Sequence, residues 1–234
     1  MTSLVKRFRA IAFDLDGTLI DTAPDIAAAA NAMLVRLGYP SLPEGDIAGL
    51  IGHGVERLVA EALARSTATR ADPALRSRAS ALFRDCYGER LFVRSRVYPG
   101  VVDALDALAA SAVPVCCVTN KPSAFALRLL DAAGLSTRLL FALGADRPEE
   151  RKPAPRLILA ACARLAVPPR ELLYVGDSRI DVDAARAAGC PVAVVDYGYG
   201  GPDVTNNLHA DATVGSLVQL LVTPVPRVCE RSVA

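Results

Sequence analysis

From Val97 onward, strand-length apolar runs alternate with helix-patterned segments: VPVCCV, FALRLLDAAG, RLLFAL, PRLILAACARLA, ELLYVGD, DVDAARAAG and PVAVVD. Alternation at these lengths predicts βα units that build a mostly parallel sheet, since parallel strands need a crossover and a helix is the usual one. Gly134 and Gly189 fall where helix C-caps are expected, and Pro122 and Pro155 where helices could begin. One earlier run, Ala10-Ile11-Ala12, adds a strand near the start of the chain.

Between that strand and Val97 no comparable run occurs. Ala23, Ile26, Ala27, Ala30, Met33, Leu34 and Leu37 follow helical spacing, as do Val55, Leu58, Val59, Ala62 and Leu63; Pro73 to Phe92 shows it more weakly. The expected organisation is a sheet unit over residues 1–20 and 97–222, interrupted by a helical insertion over 21–96. Tyr98-Pro99-Gly100 marks the return to the sheet, and residues 223–234, with two prolines and no periodicity, are expected to fray.

Charge excludes some partners. Lysine and arginine number 26 against 25 acids, so no global field would hold nucleic acid or an anionic membrane against salt. Asp14 and Asp16 interrupt the N-terminal apolar run too early for a signal or spanning segment, which leads to the expectation of a cytoplasmic protein without an anchor. The six cysteines show no CxxC spacing and mostly lie among Val, Ala and Leu, as buried thiols in a reducing compartment would.

The first strand ends in FDLDGTL, where Asp14 and Asp16 point to one side of an extended chain. Two unpaired carboxylates there repel and lose hydration, so a cation must offset the cost. Three other segments place polar residues where an apolar run gives way: Thr119-Asn120 after VPVCCV, Lys152 in RKPAP, and Gly176-Asp177-Ser178-Arg179-Ile180-Asp181 after ELLYV. Ligands of open parallel sheets bind beyond the carboxyl ends of the strands, so these segments are expected to converge at one edge. Lysine occurs only at positions 6, 121 and 152, and two of the three precede a proline near this edge.

With DLDGTL, VTNK, RKPAP and GDSRID in this order, the chain resembles the haloacid dehalogenase superfamily of aspartate-nucleophile phosphohydrolases. The resemblance implies an α/β fold, a Rossmann-like parallel sheet core with an inserted helical cap domain. It further implies magnesium, with Asp14 and Asp177 as side-chain ligands, Asp16 contributing its backbone carbonyl, and Asp181 supporting that shell or ligating directly. Asp14 is then the nucleophile that forms an aspartyl phosphate, and Asp16 the acid and base. Thr119 and the amide of Asn120 would hold the transferring group, while Lys152 neutralises charge on phosphate and Asp14. A phosphate dianion facing two carboxylates at ~4 Å meets about 4 kcal/mol of repulsion per charge pair at an effective dielectric near 20, which is why the ion is required.

Asp16 favours phosphatase over dehalogenase chemistry, because a halide leaves without a proton. The resemblance is greatest to bacterial members acting on 2-phosphoglycolate, which implies hydrolysis of that ester to glycolate and phosphate by a monomer or homodimer. Another small phosphoester or a phosphosugar mutase is the alternative; a phospho-accepting receiver module is the reading from a different class. In the insertion, Gly52-His53-Gly54 with Arg57 is the candidate substrate contact. Gly17 is expected to make a tight turn, Thr18 to fix it by hydrogen bonding, and Arg179 to brace a carboxylate.

Overall fold

The computed structural model describes residues 7–67, 71–200 and 208–222. Strand β1 (Ala10–Phe13) starts the sheet, and β2 (Ile20–Asp21) and β3 (Arg96–Val97) form a separate antiparallel pair. Then come β4 (Val115–Thr119), β5 (Ala142–Gly144), β6 (Leu172–Gly176), β7 (Val192–Val195) and β8 (Ala212–Val214). Six strands pair in the order β5-β4-β1-β6-β7-β8, every pairing parallel. The order puts β1 between β4 and β6, so the segments that follow these three strands emerge side by side.

Alternation with a period of two sorts the strands' side chains onto two faces. Ile11, Phe13, Val115, Cys117, Leu173 and Val175 pack on one face with α5 (Val101–Ala110) and α6 (Ser123–Ala132). Ala10, Ala12, Cys116, Val118, Leu172 and Tyr174 pack on the other with α7 (Arg156–Leu165) and α8 (Arg179–Ala188). With both faces covered, strands β1, β4 and β6 are buried throughout, as their near-continuous apolar sequence requires. The five described cysteines, Cys86, Cys116, Cys117, Cys162 and Cys190, are buried free thiols.

Helix starts and stops obey local chemistry. Pro122 and Pro155 precede α6 and α7, and Gly189 ends α8 in the left-handed conformation at φ 75°. Between β2 and β3 lie α1 (Ala23–Arg36), α2 (Glu44–Ala48), α3 (Val55–Thr67) and α4 (Pro73–Gly88), which share a core of their own that includes Ile26, Met33, Leu34, Leu58, Val59, Phe83 and Tyr87. The weakly periodic stretch after Pro73 is helical because Asp72 caps it, accepting from Leu75 N at 2.7 Å, with Pro73 in the first turn. It stops at Gly88, before the expected Phe92. The β2–β3 pair, with Ile20 opposite Val97 and Asp21 opposite Arg96, is too short to leave a pattern in the sequence. The tail expected to fray, 223–234, lies outside the described residues. No described helix is long and apolar enough to cross a membrane.

Candidate active site

Asp14 continues the sheet ladder beyond β1, its N–H donating to Val175 O at 2.8 Å, and this fixes the carboxylate between the ends of β4 and β6. Asp177 follows β6 directly. Asp181 lies in the first turn of α8, where its Oδ2 accepts from Ser178 Oγ at 2.5 Å, Ser178 N at 3.1 Å and Asp177 N at 3.3 Å. The cap and the helix dipole both favour the ionised form there. Asp14, Asp177 and Asp181 are all buried, with one oxygen of each within 4.8 Å of the others.

One ammonium enters this nest. Lys152 Nζ lies 2.6 Å from Asp181 Oδ1, 2.8 Å from Asp14 Oδ1 and 3.0 Å from Tyr174 Oη. The contact to Asp14 is a close ion pair off the hydrogen-bonding line, so Asp14 Oδ1 retains lone-pair capacity that no described donor uses. Tyr174 in turn donates to Val118 O at 2.8 Å, tying the lysine to the sheet.

Three acids against one base leave an excess of negative charge. Burial raises the Asp14 carboxyl to about 6; Lys152 opposes the rise, while Asp181 and Asp16 add to it. Burial also drives Asp177 well above the usual carboxylate range, with Asp181 and Asp14 adding repulsion. For Asp181, burial is outweighed by Lys152 and Ser178, and its carboxyl is held below that range. Burial disfavours the Lys152 charge as well, but Asp14 and Asp181 outweigh it and raise its pKa far above the ordinary value. Asp14 and Asp177, short of cationic partners in a buried nest, suit a hard divalent ion, whose preferred ligands are carboxylate oxygens. Asp181 has both oxygens engaged and stands behind them.

Asp16 turns its side chain away from this nest. Its Oδ1 accepts from Lys121 Nζ at 2.8 Å and Thr22 Oγ1 at 2.6 Å, and its Oδ2 lies 3.1 Å from Lys121 Nζ. Gly17, at φ 84°, makes the turn that follows the two aspartates. Thr18 departs from expectation: its buried hydroxyl finds no partner among the described residues, and the turn is held instead by backbone bonds such as Gly17 N to Ile20 O. A Cβ at Gly17 would fall 2.4 Å from Asp177 Oδ2, and one at Gly198 2.3 Å from Asp177 Cβ, so both glycines are imposed by close approach to that acid.

Thr119 is buried at the end of β4. Asn120 is a junction between three loops: its Oδ1 accepts from Lys152 N at 2.7 Å, while its Nδ2 donates to Lys152 O at 3.1 Å and to Gly52 O at 2.8 Å. A second link joins the same regions, for Glu56 of α3 is ion-paired with both Arg151 and Arg84. His53 and Arg57 sit elsewhere, on an open cleft that Asp16, Asp177 and Tyr199 also line. Arg57 is exposed, with a guanidinium nitrogen 3.1 Å from His53 Nδ1. Arg179, expected to brace a carboxylate, is exposed on this cleft and forms no ion pair among the described residues, because the acid it adjoins points inward.

Sequence reasoning passed over Tyr174, Tyr199 and the role of Lys121. A tyrosine inside the buried run ELLYV was a signal, since a buried phenol needs a partner. Tyr199 left none: its amide donates to Asp177 Oδ2 at 2.8 Å, and its hydroxyl accepts from Thr22 N at 2.6 Å and Ala23 N at 2.9 Å, contacts only the fold creates.

Comparison with known proteins agrees with this arrangement. A sequence model of the haloacid dehalogenase-like hydrolases matches residues 8–189. The phosphoglycolate phosphatase of Thiobacillus denitrificans is 42% identical over 225 residues, covering 95% of this chain and 99% of its own. A plasmid-borne phosphoglycolate phosphatase of Cupriavidus necator is 46% identical over 92% of this chain and 93% of its own. Among solved structures, a predicted phosphoglycolate phosphatase from Haemophilus somnus superimposes with a TM-score of 0.83 at 32% identity, covering 92% of this chain and 97% of the other.

Proposed function

The chain belongs to the haloacid dehalogenase-like hydrolases, and from that premise we propose that it hydrolyses 2-phosphoglycolate to glycolate and phosphate, using magnesium and an aspartyl phosphate on Asp14. One observation carries the reading: the buried nest of Asp14, Asp177 and Asp181 holds a single ammonium, Lys152, and is left with excess negative charge. Asp14 and Asp177, with the Asp16 carbonyl and with Asp181 behind them, would hold the magnesium ion. When bound, it offsets the repulsion between the carboxylates and a phosphate dianion.

In the first step an Asp14 oxygen bonds to phosphorus as the ester P–O bond breaks. Asp16 gives its proton to the departing alkoxide, then takes one from the water that cleaves the aspartyl phosphate. Lys152 neutralises charge on Asp14 and the phosphoryl oxygens, and Thr119 donates its hydroxyl proton to the transferring group. The amide of Asn120 donates to the same group, while its side chain, committed to Lys152 and Gly52, also positions the surrounding loops.

The domain division is part of this proposal: residues 21–96 form a cap over a catalytic body of 1–20 and 97–222. His53 and Arg57, on the open cleft beside Asp16, would meet the incoming dianion. Steady-state kinetics test the whole. With magnesium, kcat/KM for 2-phosphoglycolate should exceed that for sugar, triose and nucleotide monophosphates by about tenfold or more. A flat profile overturns the substrate, and undiminished turnover in chelator overturns the metal.

A further inference from the structure

The mechanism above leaves Lys121 and Tyr87 unused, although both are buried and both line the cavity that opens on Asp14, Asp16 and Thr119. Besides these groups, Asn120 and the backbone of Gly52 and Gly54, this cavity is walled by apolar side chains, among them Ile26, Leu58, Phe83 and Phe125. Lys121 Nζ donates to Asp16, at 2.8 and 3.1 Å, with the Tyr87 hydroxyl as a further polar neighbour, and an ammonium carries three protons. The same nitrogen lies 4.7 Å from the centroid of the Tyr87 ring. The Tyr87 hydroxyl is buried beside the Lys121 ammonium, with no acceptor for its own proton among the described residues, and its ring is held by Phe83 at 5.8 Å and Phe125 at 5.2 Å between centroids.

An ammonium with donor capacity to spare and a phenol whose proton finds no acceptor, facing one largely apolar cavity, form a receptor for an anion. We infer that Lys121 and Tyr87 bind the carboxylate of the substrate, and so select short phosphate monoesters ending in an acid. The inference rests on the phosphatase reading and extends it. Asp14 and Lys121 line one cavity, so the two charged ends of a single small molecule can meet them together. The apolar side chains offer a sugar's hydroxyls no bond and the Asn120 side chain is already committed to Lys152 and Gly52, so stranding hydroxyls there is unfavourable. Lys121 stays cationic for the purpose, since Asp16 and Tyr87 outweigh the effect of burial on its charge. Burial likewise keeps Tyr87 a neutral phenol, able to donate. Arg57 is the competing cation, but it is exposed, next to His53, and lines the adjoining open cleft, not this cavity.

The test compares 2-phosphoglycolate with 2-hydroxyethyl phosphate, which keeps the phosphoryl end and replaces the acid by an alcohol. In Tyr87→Phe the ratio of their kcat/KM values should fall about ten- to a hundredfold, the worth of a hydrogen bond to a charged group. Its melting temperature should stay close to that of the unsubstituted protein, because the change deletes a hydroxyl whose proton has no acceptor and leaves the ring packing intact. In Lys121→Met, loss of the Asp16 partner slows both esters, and the ratio should again fall. A preference for phosphoglycolate that survives both substitutions overturns the subsite and leaves the phosphatase reading standing. A ratio that holds in these two and collapses in Arg57→Ala also overturns it, moving the carboxylate to the open cleft. If the unsubstituted enzyme hydrolyses both esters equally well, the phosphoglycolate reading fails, and the subsite with it.

Discussion

Two buried lysines flank the first strand's aspartates, and their surroundings differ in one respect that decides what each side can hold. Lys152 sits among three carboxylates, those of Asp14, Asp177 and Asp181, with Tyr174 presenting its hydroxyl at 3.0 Å. Lys121 faces a single carboxylate, that of Asp16, and Tyr87 presents its ring face. The first side is short of positive charge and suits a cation; the second is balanced, with spare donors, and suits an anion. Burial makes both imbalances consequential, since the attraction between charges is strengthened where water is excluded. A phosphorylated acid has its reacting end drawn to one side and its carboxylate to the other.

The largest effect should come from breaking the first side at its centre. Asp14→Asn removes the nucleophile, and phosphate release should fall by about a thousandfold or more. The fold should persist, because the variant also relieves repulsion among buried acids, so circular dichroism and melting temperature should match or exceed those of the parent. Retained turnover would refute Asp14 as the phosphoryl acceptor and remove the distinction between the two sides.

Proton competition is the next largest. With Asp14 raised to about 6 in the metal-free protein, a proton occupies the ligand below that pH and leaves above it. Magnesium affinity should therefore rise by more than about tenfold per pH unit as pH climbs toward 6, since Asp14 and Asp177 each release a proton when the ion binds. Because Asp177 is raised as well, affinity should keep rising beyond that point. Lys121 stays protonated throughout and adds no slope. Calorimetric titrations in two buffers of different ionisation enthalpy would count the protons; an affinity flat across this range would mean the acids are already ionised without the metal.

How much of this could be read from the chain follows the range of the interactions. Strands β1, β4, β6 and β7 and the edge where Asp14, Thr119, Lys152 and Asp177 meet were legible, because burial on both faces writes continuous apolar runs and strand ends write polar ones. The convergence of Asp14 and Asp177 held, with Asp181 beside them. Contacts that depend on tertiary placement were illegible. Tyr199 reaches Thr22 and Asp177 from a loop with no pattern, and Gly198 is glycine because Asp177 and the Gly17 carbonyl leave no room. Lys121 stood in plain view beside Thr119 and Asn120, but nothing local tells a lysine that turns inward to Asp16 from one in solvent.

The smallest expected effect concerns how the two sides are kept in register. Arg151, next to Lys152, pairs with Glu56 of α3, the helix that also brings Leu58 to the Lys121 cavity, and Arg84 of α4 pairs with the same carboxylate. These side chains are 22% to 43% exposed, so solvent screens the pairs and each is worth about 0–1 kcal/mol. Glu56→Gln should thus lower the melting temperature by only ~2–4 °C. Loss of the tether should raise KM for phosphoglycolate about two- to fivefold while kcat stays near the parent value, since the groups that act on phosphorus are untouched. About 1 M salt, where the screening length shrinks to roughly 3 Å, should erase most of the difference between variant and parent. A kcat falling as far as in Asp14→Asn would show that Glu56 governs the geometry of the acidic nest itself, and the two lysine environments would then have to be treated as one electrostatic unit.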